Sequence, residues 1–275
     1  MVVQRSRNRL RLCAVAWVAS VLVAVWAIPA VHGGTVVDVK TVYFDEQRAD
    51  ETATIYFEAN RARFDAAEGG RRVILIVRTD AKGEPVCWVI DQEKNAYIEI
   101  DRKGVDEVKS QVERARLLFE QQIANAPPES RERVRQGLEA QYGAMMKKRP
   151  TVEFKKIATG VTIKKWRCTQ YQSTLDGEKY EDVWAAGEKE LGLTPLDLKV
   201  LSQMGELFSG ISPKTNAFFQ VGRPAGGFTG FPVVVVEYRG GQKHEKSEVT
   251  GVRQEKLDPA LFELPKDVVK QRLVQ

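Results

Sequence analysis

The sequence predicts an α+β fold: an antiparallel β-sheet with amphipathic helices laid on one face. Three observations predict it. Short segments rich in Val, Thr and aromatic residues, alternating at a period near two, outnumber all other patterned segments. Short turns carrying Gly, Asp or Asn join most of them, as in an antiparallel meander. One long stretch, roughly 104–148, switches to a period of three to four, and a further helix is signalled near Thr194.

Along the chain, strands are expected at Thr35–Phe44, Thr52–Glu58, Arg61–Ala66 and Val73–Val77, with a turn at Ala59-Asn60. Val86–Ile90 and Ala96–Ile100 read as a hairpin around Asp91–Asn95. Val105, Val108, Val112, Ala115, Leu118, Phe119 and Ile123 then share one helical face, opposite Glu, Lys, Arg and Gln. Pro127-Pro128 stops this helix, because neither residue can donate a backbone hydrogen bond. A second helix from about Glu129 presents Val134, Leu138, Tyr142 and Met145, so the insertion is a helical hairpin. Strands resume at Thr151–Ile157, Val161–Tyr171 and Tyr180–Ala185, with a turn at Asp176-Gly177. Thr194 is a good N-cap, Pro195 suits the first helical position, and Asp197 completes a capping-box-like pair. Val200, Leu201, Met204, Leu207 and Phe208 form that helix's apolar stripe. After a glycine-rich loop to Gly230, Pro232–Tyr238 and Glu245–Lys256 form a hairpin around Gly240-Gly241, and Leu257–Pro265 closes the domain.

The amino terminus has the form of an export signal over residues 1–33. Arg5, Arg7, Arg9 and Arg11 precede an apolar run from Leu12 to Ala30, and Val31 and Gly33 are placed for a cut before Gly34. A cut after Ala30 is the second choice. The run exceeds the usual ~7–15 residues, so an uncleaved anchor is the alternative; either way the bulk of the chain is expected outside the cytoplasm, in the periplasm or elsewhere in a bacterial cell envelope. The whole chain carries 42 basic and 37 acidic residues, a net of +5. Four arginines belong to the signal, which leaves 38 against 37 and gives no basic face for nucleic acid. Residues 34–275 are read as one domain, meeting the membrane only through the signal or anchor.

Chemistry is sparse. Beyond the signal, His244 is the only histidine. It stands in a Gly-Gly-Gln-Lys-His-Glu-Lys segment expected to be solvated, so nucleophile-histidine catalysis and a histidine-rich metal site are set aside. Asp45-Glu46 with Asp50-Glu51 reads as a polar turn, and Glu181-Asp182 as a solvated strand edge. No cofactor or metal is expected, and an enzyme is not. Cys87 and Cys168 remain after export, as a disulfide or as two buried thiols. A bridge across their 81-residue separation would contribute roughly 4 kcal/mol in the chain-entropy account. Trp88, Trp166 and Trp184 lie in apolar strands, and Phe119 and Phe208 on helix faces; all five read either as core or as the lining of an apolar ligand site.

A set of local patterns carries a resemblance. It comprises Trp88-Val89-Ile90-Asp91 with Tyr97, Pro127-Pro128-Glu129, Cys168 and Tyr171, and Val183-Trp184. It ends with Gly230-Phe231-Pro232-Val233 and the closing Leu257-Asp258-Pro259-Ala260-Leu261-Phe262-Glu263-Leu264-Pro265. In these the chain, over roughly 35–265, resembles a family of secreted bacterial proteins known as a domain of unknown function, similar in fold to the Lol-type outer-membrane lipoprotein carriers and sorting proteins. The resemblance implies a strongly curved half-barrel with the helices on its concave face, and a space between sheet and helices that takes up acyl chains. The expected function is therefore an exported, non-enzymatic protein holding a lipid, acyl chain or lipidated partner. The inserted hairpin is a departure that would fill the space. The alternative is a structural or sensing module of the envelope acting through protein contact.

Overall fold

The computed structural model describes residues 33–45, 48–68, 71–146, 151–211, 217–222 and 227–272. Apart from Gly33, the signal expected over residues 1–33 lies outside them, as does Gly226 of the glycine-rich loop.

Alternating patterns in the first half fold as a meander of six strands: β1 (Gly34–Tyr43), β2 (Glu51–Glu58), β3 (Arg61–Glu68), β4 (Arg71–Thr79), β5 (Pro85–Asp91) and β6 (Ala96–Ile100). A second meander contains β7 (Val152–Ile163), β8 (Trp166–Leu175), β9 (Glu178–Ala186), β10 (Phe231–Arg239) and β11 (Gln242–Glu255). Antiparallel pairing of β11 with β1 fuses the two, and β12 (Val269–Gln271) adds to β6 in parallel. The result is a twelve-stranded sheet in the order β12-β6-β5-β4-β3-β2-β1-β11-β10-β9-β8-β7. It is curved and does not close. One core cluster includes both Cys87 on β5 and Cys168 on β8. Those strands are eight positions apart, about 38 Å along a flat sheet, so the sheet bends around this shared core.

One strand boundary differs from expectation. Ala158-Thr159-Gly160, read as a break, lies inside β7, where two register shifts absorb the extra residues and Gly160 has φ +74°. The turn falls instead at Lys164-Lys165, with Lys164 at φ +52°. At Asp176-Gly177 both residues have positive φ, +54° and +88°, the backbone a tight hairpin turn requires.

Among the described residues, four α-helices cross or flank the sheet: α1 (Arg102–Asn125), α2 (Arg131–Met146), α3 (Glu188–Leu191) and α4 (Pro195–Ile211). The cap of α4 is reciprocal. The Asp197 carboxylate accepts from Thr194 N at 2.7 Å and from Thr194 Oγ1 at 2.8 Å, while Asp197 N donates back to Thr194 Oγ1 at 3.3 Å. Asp197→Ala is expected to cost about 1–2 kcal/mol in urea unfolding, because it removes the buried acceptor of both the Thr194 N–H and the Thr194 hydroxyl; a loss below about 0.3 kcal/mol would count against the cap. From this start α4 lays Val200, Leu201, Met204 and Leu207 on the core, against β3, β4 and β5. Each such side chain stabilises by roughly 1.5–3 kcal/mol on full burial.

The α1–α2 hairpin behaves differently. Asp101 caps α1 by accepting from Gly104 N at 2.7 Å. The helix packs on α2, α4 and β6, and only its Val105 is fully buried. Val108, Val112, Ala115, Phe119 and Ile123 are half-buried, but Leu118, expected on the same stripe, is 59% exposed. The side chains of Tyr142, Met145 and Met146 lie outside the described residues.

The opposite face of the sheet is covered by the chain's own carboxyl-terminal segment. After β11, residues 257–268 run over the first meander to reach β6. Asp258 caps a 3₁₀ turn, Pro259–Phe262, by accepting from Ala260 N at 2.9 Å. This turn places Phe262 with Val36 and Leu257, while Leu264 packs on Ile74, Ile76 and Ile90. Arg63 Nη1 donates to the Leu261 carbonyl at 2.9 Å, and Arg78 pairs with Glu263 at 2.8 Å. The closing Asp-Pro-x-Leu-Phe motif is thus a strap.

Candidate functional site

A cavity of about 510 Å³ opens on the helix-bearing face, at the end where β10 and β11 turn. Its floor is apolar: Val39 from β1, Ala53 and Ile55 from β2, Phe64 and Ala66 from β3, and Val73 and Leu75 from β4. Period-two alternation puts these on one face, shared with the buried Val37 and Phe57. Phe218, from a 3₁₀ turn at Ala217–Phe219, forms the wall toward α4. Among the described residues, none of α1 or α2 lines the cavity.

The rim is charged and follows from strand register. Ser173 on β8 opposes Glu181 on β9; Glu181 opposes Glu237 on β10; Glu237 opposes Glu245 on β11; and Glu245 opposes Tyr43 on β1. Opposed residues of antiparallel strands share a face, so three glutamates stand side by side. Glu181 is 1% exposed and lies behind the cavity wall. Its carboxylate accepts from Ser173 Oγ at 3.3 Å and from Ala217 N at 3.2 Å, which ties down the turn that presents Phe218. Burial, reinforced by the Glu237 carboxylate, pushes its pKa up to about 8. Burial also raises that of Glu245, with Glu237 again adding to it. Glu237 and Glu245 line the cavity itself.

Two arginines offset this charge and are already engaged. Arg239 Nε lies 2.9 Å from Glu237 Oε1. Arg48 stacks on the Tyr43 ring at 3.7 Å and reaches Glu51 at 3.6 Å, while the Tyr43 hydroxyl donates to Glu51 at 2.8 Å. Glu245 makes no hydrogen bond or ion pair among the described residues. Glu181, Glu237 and Glu245 thus stand in one row across β9, β10 and β11. No group of three or more His, Cys, Asp or Glu among the described residues is placed to hold a metal ion.

None of the five aromatic residues singled out in the sequence lines this cavity. Trp88 lies under the strap, beside Ile74, Ile76 and Ile90, with Nε1 donating to Glu99 at 3.0 Å. Trp166 is buried in the main core, and its Nε1 has no partner among the described residues. Trp184 and Phe208 pack partly buried against that core, and Phe119 is half-buried on α1. Cys87 and Cys168 are free, buried thiols, each held above the ordinary thiol range by burial. Two polar readings are corrected. Glu181 and Asp182 are buried within the sheet's second meander rather than solvated at an edge. His244 lies inside β11, half-buried, with its Nε2 buried and unpartnered among the described residues.

A family model described as a domain of unknown function (DUF4412) matches residues 136–268. That is just under half of the chain, and it covers most of α2, the second meander and the strap up to β12. The first meander, which supplies most of the cavity floor, precedes it. No curated protein matches the chain. Among solved structures, that of PNGF-II is similar with a TM-score of 0.41 and 11% identity, over 88% of this chain and 31% of that one. The crystal structure of MucB is similar with a TM-score of 0.34 and 10% identity, over 86% of this chain and 60% of that one. The chain thus spans about a third of the first and three fifths of the second.

Proposed function

We propose that this protein is an exported, non-enzymatic binding protein of the cell envelope, built on a Lol-type half-barrel, that holds the apolar part of a lipid-like ligand. The observation that carries the reading is the cavity floor. Seven apolar side chains from four adjacent strands line an open space of about 510 Å³, within the range of small-molecule sites, and no described residue of the inserted hairpin enters its lining. The rim supplies the few polar groups that would orient a ligand. The signal pattern in residues 1–33 supports action outside the cytoplasm; among the described residues no helix is long and apolar enough to cross a membrane.

Native mass spectrometry of the protein purified from its export compartment, followed by solvent extraction, tests this. An acylated molecule near one-to-one stoichiometry is expected, and Ala53→Trp, which fills the floor, is expected to remove it while the thermal unfolding transition is retained. A clean apo mass that stays unchanged when phospholipid or a lipopeptide is offered would sink the carrier reading. A second reading, a protein-contact module, is favoured by Leu117 and Leu118 on α1, which are 53% and 59% exposed. A pull-down abolished by Leu117→Glu with Leu118→Glu, together with that clean apo mass, would favour it.

A further inference from the structure

The rim of the cavity carries more carboxylate than its own cations neutralise. Glu51, Glu237 and Glu245 line it, against Arg48 and Arg239. The balance alone would make a weak case, because exposed charges are readily screened. Here Glu237 and Glu245 are directly opposed across β10 and β11, half-buried, with the buried Glu181 next in the row. Like charges opposed on one face of a sheet repel, and partial burial removes the water that would screen them. Both guanidinium groups are already committed, one to Glu237 and the other to the Tyr43 ring and Glu51. Among the described residues, an anionic ligand head would therefore find no free cation at the rim and would meet Glu245. A cation would find a carboxylate with no ion pair among the described residues. Beside it, the face of Tyr43 already holds a guanidinium.

On the proposed binding reading, which this inference deepens, we infer that the cavity selects an amphiphile with a cationic head, an amine or ammonium group. The head sits at Glu245 and Glu237 and the apolar chain lies over Ile55, Phe64 and Leu75. The head would relieve the repulsion between Glu237 and Glu245 while the chain covers the floor. The two parts of the site would thus act on the two ends of one molecule.

The test uses three amphiphiles with the same twelve-carbon chain: dodecylammonium, dodecyl maltoside and dodecyl sulfate. Each is titrated into the purified protein by calorimetry, below its micelle concentration, at pH 7 and physiological salt. Dodecylammonium is expected to bind about tenfold or more tighter than the maltoside, as a charge-assisted hydrogen bond allows. In Glu245→Gln, an isosteric change, that preference is expected to collapse toward the neutral amphiphile. Glu237→Gln, which also frees Arg239, is expected to shift selection toward the sulfate. If the maltoside or the sulfate binds as tightly as the ammonium, the head-group assignment fails and the cavity reading stands. An ammonium preference that survives both substitutions places the cation elsewhere and overturns the inference. Failure of all three to bind overturns the cavity reading along with it.

Discussion

Phe262→Ala is expected to lower the unfolding free energy by about 3–5 kcal/mol, as measured by the midpoint and slope of urea unfolding. Phe262 is fully buried, far from the main core, where the strap lies on Val36 and Leu257 and Arg61 stacks on its ring at 4.6 Å. Its removal leaves a cavity between two layers that have little else to close it. The size of the loss also reports on cooperativity. If the strap unfolds independently, the main transition would move by less than about 1 kcal/mol and the denaturant slope would fall. That outcome would refute the view that the carboxyl-terminal segment is an integral layer of this fold.

Glu181→Gln is expected to flatten the pH dependence of stability. The native carboxyl titrates near 8, against an ordinary value of 4.5. Between those two values the folded state holds more protons than the unfolded chain, so stability falls as pH rises, by up to about 1.4 kcal/mol per unit. Below about pH 4.5 both states are protonated and the group exerts no slope; above about pH 8 the loss is complete. Glutamine keeps an acceptor for Ala217 N and a group for Ser173 Oγ without titrating. The variant should match the parent near pH 4.5 and exceed it at pH 9 by on the order of 5 kcal/mol. Unfolding curves for the two proteins that stay parallel from pH 5 to 9 would show that Glu181 is not held neutral. The same carboxyl bears on the site, because it accepts from Ala217 N in the turn that presents Phe218 to the cavity.

Local signals in the sequence are enough to place most of the strands and the start of α4. The Thr194–Asp197 pair forms because capping is settled within four residues, whatever the tertiary context. Asp176-Gly177 turns the chain for the same reason. Gly160 misleads because a glycine with positive φ serves a bulge as well as a turn, and only the partner strand decides between them. Of the candidate ligand-lining aromatics, Trp88 is carried off the cavity face by parity. Trp88 lies between Cys87 and Val89, and alternation sends it to the face opposite theirs. Nothing local says which face the helices will take. The glutamate row is the least legible part. A two-residue turn at Gly240-Gly241 would set Glu237 opposite His244; a register shift after Glu237 sets it opposite Glu245 instead. The site's charge therefore depends on one irregularity in one hairpin.

The strap also fixes an order of events during synthesis. The residues that cover Ile74, Ile76 and Ile90, and the strand that pairs with β6, leave the ribosome after the eleven other strands of the sheet. Until they arrive, β6 is a bare sheet edge beside an uncovered apolar surface, which can recruit the matching segment of a second molecule. A chain cut short after Glu255 would keep its cavity floor and its carboxylate rim yet lose the cover of its own back. Such a chain is predisposed to exchange strands with its neighbours, so the last seventeen described residues guard solubility as much as they add stability.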